Sequence, residues 1–176
     1  MPSVFIPDLD LLLAPVRAGA TLIESEHHGE QHWLAVARAG LEIHRADAAC
    51  DRKVLFLFAL LHDARRELET RDPEHGARAA GLALELRERA LFGIDDARMA
   101  LLMEACQLHD TGAVSEEPTV GACYDADRLN LARLGITPDP SLLSRPVSRD
   151  AAFIERCAAF DSHELAWDQL LHDLVG

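Results

Sequence analysis

An all-α, single-domain fold is predicted for this 176-residue chain on three observations. Ala, Leu, Arg and Glu dominate while β-branched and aromatic residues are few (aromatics 5%), a balance that favours helix over strand. Apolar residues such as Leu34, Ala37 and Leu41 return at helical spacing between Gly and Pro punctuation. No stretch alternates as a strand does. Hydrophobic content of 49% with 27% charged residues describes an ordinary globular domain, large enough to bury a core.

Each element has its own signal. Residues 1–24 form an N-terminal segment in which Asp8 to Ala18, interrupted by Pro15 and closed by Gly19, reads as a surface helix or lid. From Ser25 a helix is expected to about Ala49, with His28 and His32 four apart on one face. Asp51 is an N-cap for the stretch that organises the chain, Val54-Leu55-Phe56-Leu57-Phe58-Ala59-Leu60-Leu61 running into His62-Asp63. Helix formers from Ala64 onward extend that helix to about Glu69.

Asp72 with Pro73 at the first helical position opens the next helix, which should run to Leu91 or Phe92 before Gly93. Asp95 or Asp96 caps another, through Leu108 to His109-Asp110 before Gly112. A loop at 115–119 leads to a helix carrying Asp125 and Asp127 and ending at Gly135. Pro138, Pro140 and Pro146 mark irregular chain, and Arg149 to Val175 reads as a final helix with Phe153, Phe160, Leu165 and Leu170 as core. Residues 136–176 are thus an extension packed on the same domain.

Charge narrows the partners. A net charge of −13, with 17 basic against 30 acidic residues and Lys53 the single lysine, argues against a nucleic-acid polymer or an anionic membrane. Cys50, Cys106, Cys123 and Cys157 form no C-x-x-C pair, so neither a zinc knuckle nor a redox motif is indicated. With no leader-like or bilayer-length apolar run in the sequence, a cytoplasmic location is expected.

Two ionisable groups ending so apolar a helix need partners, because a buried charge persists only when paired or bound to metal. Asp63 near a helix C-terminus is opposed by the dipole and calls for a cation. The dipeptide recurs as His109-Asp110 and His172-Asp173, but only His62-Asp63 closes a buried helix. His32 is the next candidate ligand; His28 and His27 serve equally well as exposed residues. Asp125 and Asp127 point apart on a helix, and Asp127 is preferred because Leu131 and Leu134 place it on an apolar stripe. His32, His62, Asp63 and Asp127 form a mixed N/O set suited to Mn, Fe, Ni, Co, Zn or Mg, with positions left for water and substrate. His75 and His109, lone histidines near helix ends, are candidates to line a cleft beside them.

These residues resemble the HD superfamily of metal-dependent phosphohydrolases, whose signature is H…HD…D. His32-Trp33-Leu34-Ala35-Val36, Leu60-Leu61-His62-Asp63 and Asp125-Ala126-Asp127-Arg128-Leu129-Asn130 carry the likeness, which spans residues 25–135. The resemblance implies a helical bundle of the HD type, with His32, His62, Asp63 and Asp127 as metal ligands. His75 and His109 fall where some members place extra histidines, for a second metal or a substrate phosphate. The chain has neither a Gly-Tyr-Pro segment nor an adjacent His-His pair in the second-histidine region, and one divalent ion per chain is expected. The expected reaction is hydrolysis of a small phosphorylated molecule, nucleotides among the candidates. Asp63 or His109 would orient or deprotonate water, with His75 beside them. Arg66, Arg78, Arg128 and His28 are candidate substrate contacts. A metal-containing binding or regulatory module and an HD-type di-iron oxygenase, with His75 and His109 completing six ligands, are the alternatives.

Overall fold

The apolar run becomes α3 (Arg52–Leu61), and every residue from Val54 to Leu61 is buried. Asp51 caps it by accepting from the Lys53 and Val54 amides. This computed structural model describes residues 5–175; the first four residues of the N-terminal segment and Gly176 lie outside the described residues. Eight α-helices are joined by turns and short 3-10 segments, with no strand among the described residues, so the fold is all-α and single-domain.

Around α3 pack α2 (Glu30–Ala46), α5 (Asp96–Leu108), α6 (Pro118–Leu129) and α8 (Trp167–Val175), while α4 (His75–Glu88) lies mainly against α5. Burying a large apolar side chain contributes roughly 1.5–3 kcal/mol. The α3 run therefore offsets much of the cost of burying His62 and Asp63 at its end. No helix among the described residues is long and apolar enough to cross a membrane.

Several boundaries differ from the sequence expectation, each for a local reason. α1 (Leu9–Ala18) is no lid: Leu12, Leu13 and Val16 are buried in the core. His28 lies not on α2 but in the turn before it, where Gly29 is the N-cap. α3 stops at Leu61 instead of reaching Glu69. Arg66 donates to the Leu68 and Thr70 carbonyls, and these bonds shape a loop that outweighs the helix propensity of residues 64–69.

α4 starts at His75, not Pro73, because Asp72 does not cap it. The Asp72 carboxylate instead accepts from the Glu67 amide (2.8 Å) and from Arg78 (2.6 Å); burial alone would raise its pKa, but these donors bring it down to about 2. α4 ends at Glu88, and Ala90, with φ of 56°, turns the chain before Gly93 is reached. The single helix expected from Arg149 to Val175 is broken into α7 (Ala151–Ala158), a 3-10 turn and α8. Within it Phe153 and Leu170 are buried, whereas Phe160 and Leu165 are partly exposed.

Gly76 sets the approach of α4 to α5. A Cβ there would overlap the Cys106 carbonyl oxygen, part of the α5 backbone that cannot step aside cheaply. Gly76→Ala should therefore cost about 1–3 kcal/mol, read as a lowered urea midpoint. An unchanged midpoint would contradict this packing.

Candidate metal centre

Four buried histidines reach one place from four elements. His62 caps the end of α3, with its Nδ1 at 3.2 and 3.1 Å from the Phe58 and Ala59 carbonyls and its ring stacked on Phe58. His32, on the first turn of α2, sets Nδ1 at 2.7 Å from Asn130 Oδ1. His75 opens α4 and bonds the Asp72 carbonyl; His109 caps α5 and bonds the Cys106 carbonyl at 2.8 Å. An oxygen with no proton faces every Nδ1, so each Nδ1 carries a hydrogen and, in the neutral ring, Nε2 keeps its lone pair.

Those lone pairs meet. His62 Nε2 lies 3.2 Å from His32 Nε2, and His75 Nε2 lies 2.9 Å from His109 Nε2. Bare nitrogens at such distances repel unless a proton or cation lies between them. Burial pushes His62 down to about 3, despite the nearby Asp63 and Asp127 carboxylates, which keeps it neutral. Burial and the neighbouring His109 lower His75. Burial would also lower His109, but Asp63 and Asp127 outweigh it and raise that ring. The second pair thus has room for one proton where a cation would satisfy both nitrogens.

Asp63 stands between the pairs. Its Oδ2 is 3.9 Å from both His32 Nε2 and His62 Nε2. Its Oδ1 is 3.3 Å from His75 Nε2 and 3.7 Å from His109 Nε2, and it is buried without a hydrogen-bond partner. Burial would raise this carboxyl, yet His62, His109 and His28 hold it well below the usual carboxylate range. Two groups of converging donors result, His32-His62-Asp63 and Asp63-His75-His109, each able to hold a metal ion. Asp127 Oδ1 adds a further oxygen 3.1 Å from His32 Nε2, and burial notwithstanding, His32 keeps it ionised.

The other expected residues divide. His28 reaches the site, its Nδ1 donating to Asp63 Oδ2 at 3.0 Å. Arg66 also reaches it, with Nη1 at 3.2 Å from His75 Nε2 and 3.7 Å from Asp63 Oδ1. Arg78 and Arg128 hold structural acceptors and make no contact with the four histidines, Asp63 or Asp127 among the described residues. Arg78 bonds Asp72 and the Arg65 carbonyl, and Arg128 donates to the Leu142 and Ala113 carbonyls. His75 and His109 are fully or almost fully buried and belong to the second donor group.

Asp127 stands beside His32 as expected, but not for the reason the apolar stripe offered. Asp125 is the more deeply buried carboxylate, accepting the Ser144 and Arg145 amides. Sequence reading gave no role to Asn130, which holds His32, or to Arg133, which donates to the His27 and Asn130 carbonyls. Asn130 lies three residues after Asp127, a helical spacing that could have revealed it. Arg133 carries no such signal.

A divalent ion fits these donors. The orphaned Asp63 Oδ1 and the converging nitrogens want a cation, and an imidazole and carboxylate set suits hard or borderline ions. No thiolate competes, since burial pushes the nearby Cys106 thiol up to about 12. Asn130 orients His32, as a group hydrogen-bonded behind a ligand does. Asn130→Ala should weaken metal binding about 10- to 100-fold in a chelator competition, and an unaltered affinity would contradict its role. Comparison with family models, curated proteins and solved structures finds no match for this chain.

Proposed function

We propose that this protein is a metal-dependent phosphohydrolase of the HD type, acting on a small phosphorylated molecule, with two divalent ions sharing Asp63. One observation carries the reading: four Nε2 atoms converge in two pairs on the opposite oxygens of one buried carboxylate. In this reading the second donor group would hold a further ion beside the single one expected from the sequence.

His32, His62, Asp63 and Asp127 would hold one ion, and His75, His109 and Asp63 the other. A divalent ion in such a site supplies Lewis acidity and an acidified water for attack at phosphorus. In this reading Asp63 and His109 hold ions instead of shuttling protons, because both are buried and committed to neighbours. Asp127 is the carboxylate that water reaches, its side chain 20% exposed, and it would orient the attacking water.

Arg66 and Arg133 would bind the phosphate through the N–H groups that their carbonyl acceptors leave over. Arg133 is pulled down by burial while the Asp127 and Asp63 charges support it and the Arg66 charge opposes it. Two guanidiniums that feel one another beside a metal centre are served by a shared anion, which each can bind through paired N–H groups. Nucleotides and sugar phosphates both remain within this substrate class.

A second reading, an HD-type di-iron oxygenase, draws on the same gathering of His32, His62, Asp63, His75, His109 and Asp127 around one centre. Assay of phosphate esters with Mn, Co, Ni, Mg and Fe separates the two. The hydrolase reading expects phosphate release that His62→Ala abolishes. Arg66→Ala and Arg133→Ala should each raise KM about 10- to 100-fold, the equivalent of a charged hydrogen bond, while retaining metal. Two irons with oxygen uptake and no phosphate release would favour the oxygenase instead.

A further inference from the structure

We propose that His28 is a positioning residue that fixes the Asp63 carboxylate as a bridge between the two histidine pairs. The inference rests on the two-ion reading above. An aspartate carboxylate can turn about its last bond, and a turned Asp63 could place both oxygens toward one pair and leave the other without a carboxylate. His28 Nδ1 donates to Oδ2 at 3.0 Å, the only hydrogen bond to that carboxylate among the described residues. This bond pins Oδ2 toward His32 and His62, so Oδ1 faces His75 and His109.

The turn that carries His28 is itself fixed. Ser25 Oγ accepts from the His27 and His28 amides, each at 3.1 Å, and Trp33 Nε1 donates to the His28 carbonyl at 2.8 Å. Gly29 follows with no room for a Cβ, which would overlap the Ile23 and Ser25 carbonyl oxygens. The His28 side chain is only 14% exposed and belongs to neither group of converging donors. It therefore acts through Asp63, as a hydrogen-bonding group behind a ligand sets that ligand's orientation.

The test compares manganese binding by wild type, His28→Phe and His28→Asn. Titration gives the affinity for each ion, electron paramagnetic resonance reports coupling between carboxylate-bridged ions, and thermal melts follow the fold. Wild type should take two ions with a coupled spectrum. His28→Phe, which keeps a ring but no donor, should lose that coupling and bind the second ion about 10- to 100-fold more weakly. His28→Asn, which keeps an N–H near the same place, should restore both.

A coupled spectrum and wild-type affinities in His28→Phe would overturn the role of His28 while leaving the two-ion reading intact. One ion or none in the wild type would overturn that reading and, with it, the bridge. Failure of both variants to fold would make His28 a structural residue and also overturn the proposal.

Discussion

A single carboxylate buried among four imidazoles is the constraint on which this structure turns. Asp63 is 4% exposed, and one of its oxygens has no hydrogen-bond partner. A carboxylate in that position is costly unless positive charge meets it. His28 supplies one hydrogen bond, and the four converging Nε2 atoms provide places for cations. Each imidazole is held from behind by an oxygen, so none can turn its lone pair away without breaking a hydrogen bond.

The fold supplies these orientations from separate parts of the chain. α3 ends inside the protein because its eight apolar residues are buried, leaving His62 and Asp63 at its inner end. The loop closed by Arg66, Asp72 and Arg78 then turns the chain back so that α4 begins at His75. Gly76 lets that first turn lie on the end of α5, where His109 waits. The C-terminal extension completes the shell: Trp167 donates to Glu30 at the start of α2, which steadies the helix that carries His32. Stability and site geometry therefore share residues, and a packing change at Gly76 acts on both.

What the sequence made legible was short-range. The unbroken apolar run, the His-Asp pair at its end and the placement of His32 and Asp127 on helices all follow from spacing and composition. His75 and His109 were expected beside one cleft, but their direct contact was not legible, because it depends on a loop and a helix approach that no local propensity dictates. Propensity in fact misled at Ala64 to Glu69, where side-chain bonds to carbonyls outweigh it. Arginine roles were equally hidden, since only tertiary structure shows that Arg66 and Arg133 border the site while Arg78 and Arg128 bond groups outside it. The apolar stripe fits the fully buried Asp125 better than Asp127; contact with His32 is what distinguishes Asp127.

The most direct test of the shared-carboxylate centre is anomalous diffraction from crystals of the manganese-loaded protein. The account predicts two peaks, one against His32, His62 and Asp127 and the other against His75 and His109, with Asp63 between them. A single peak would contradict the two-ion centre, and peaks lying away from these histidines would contradict the site itself.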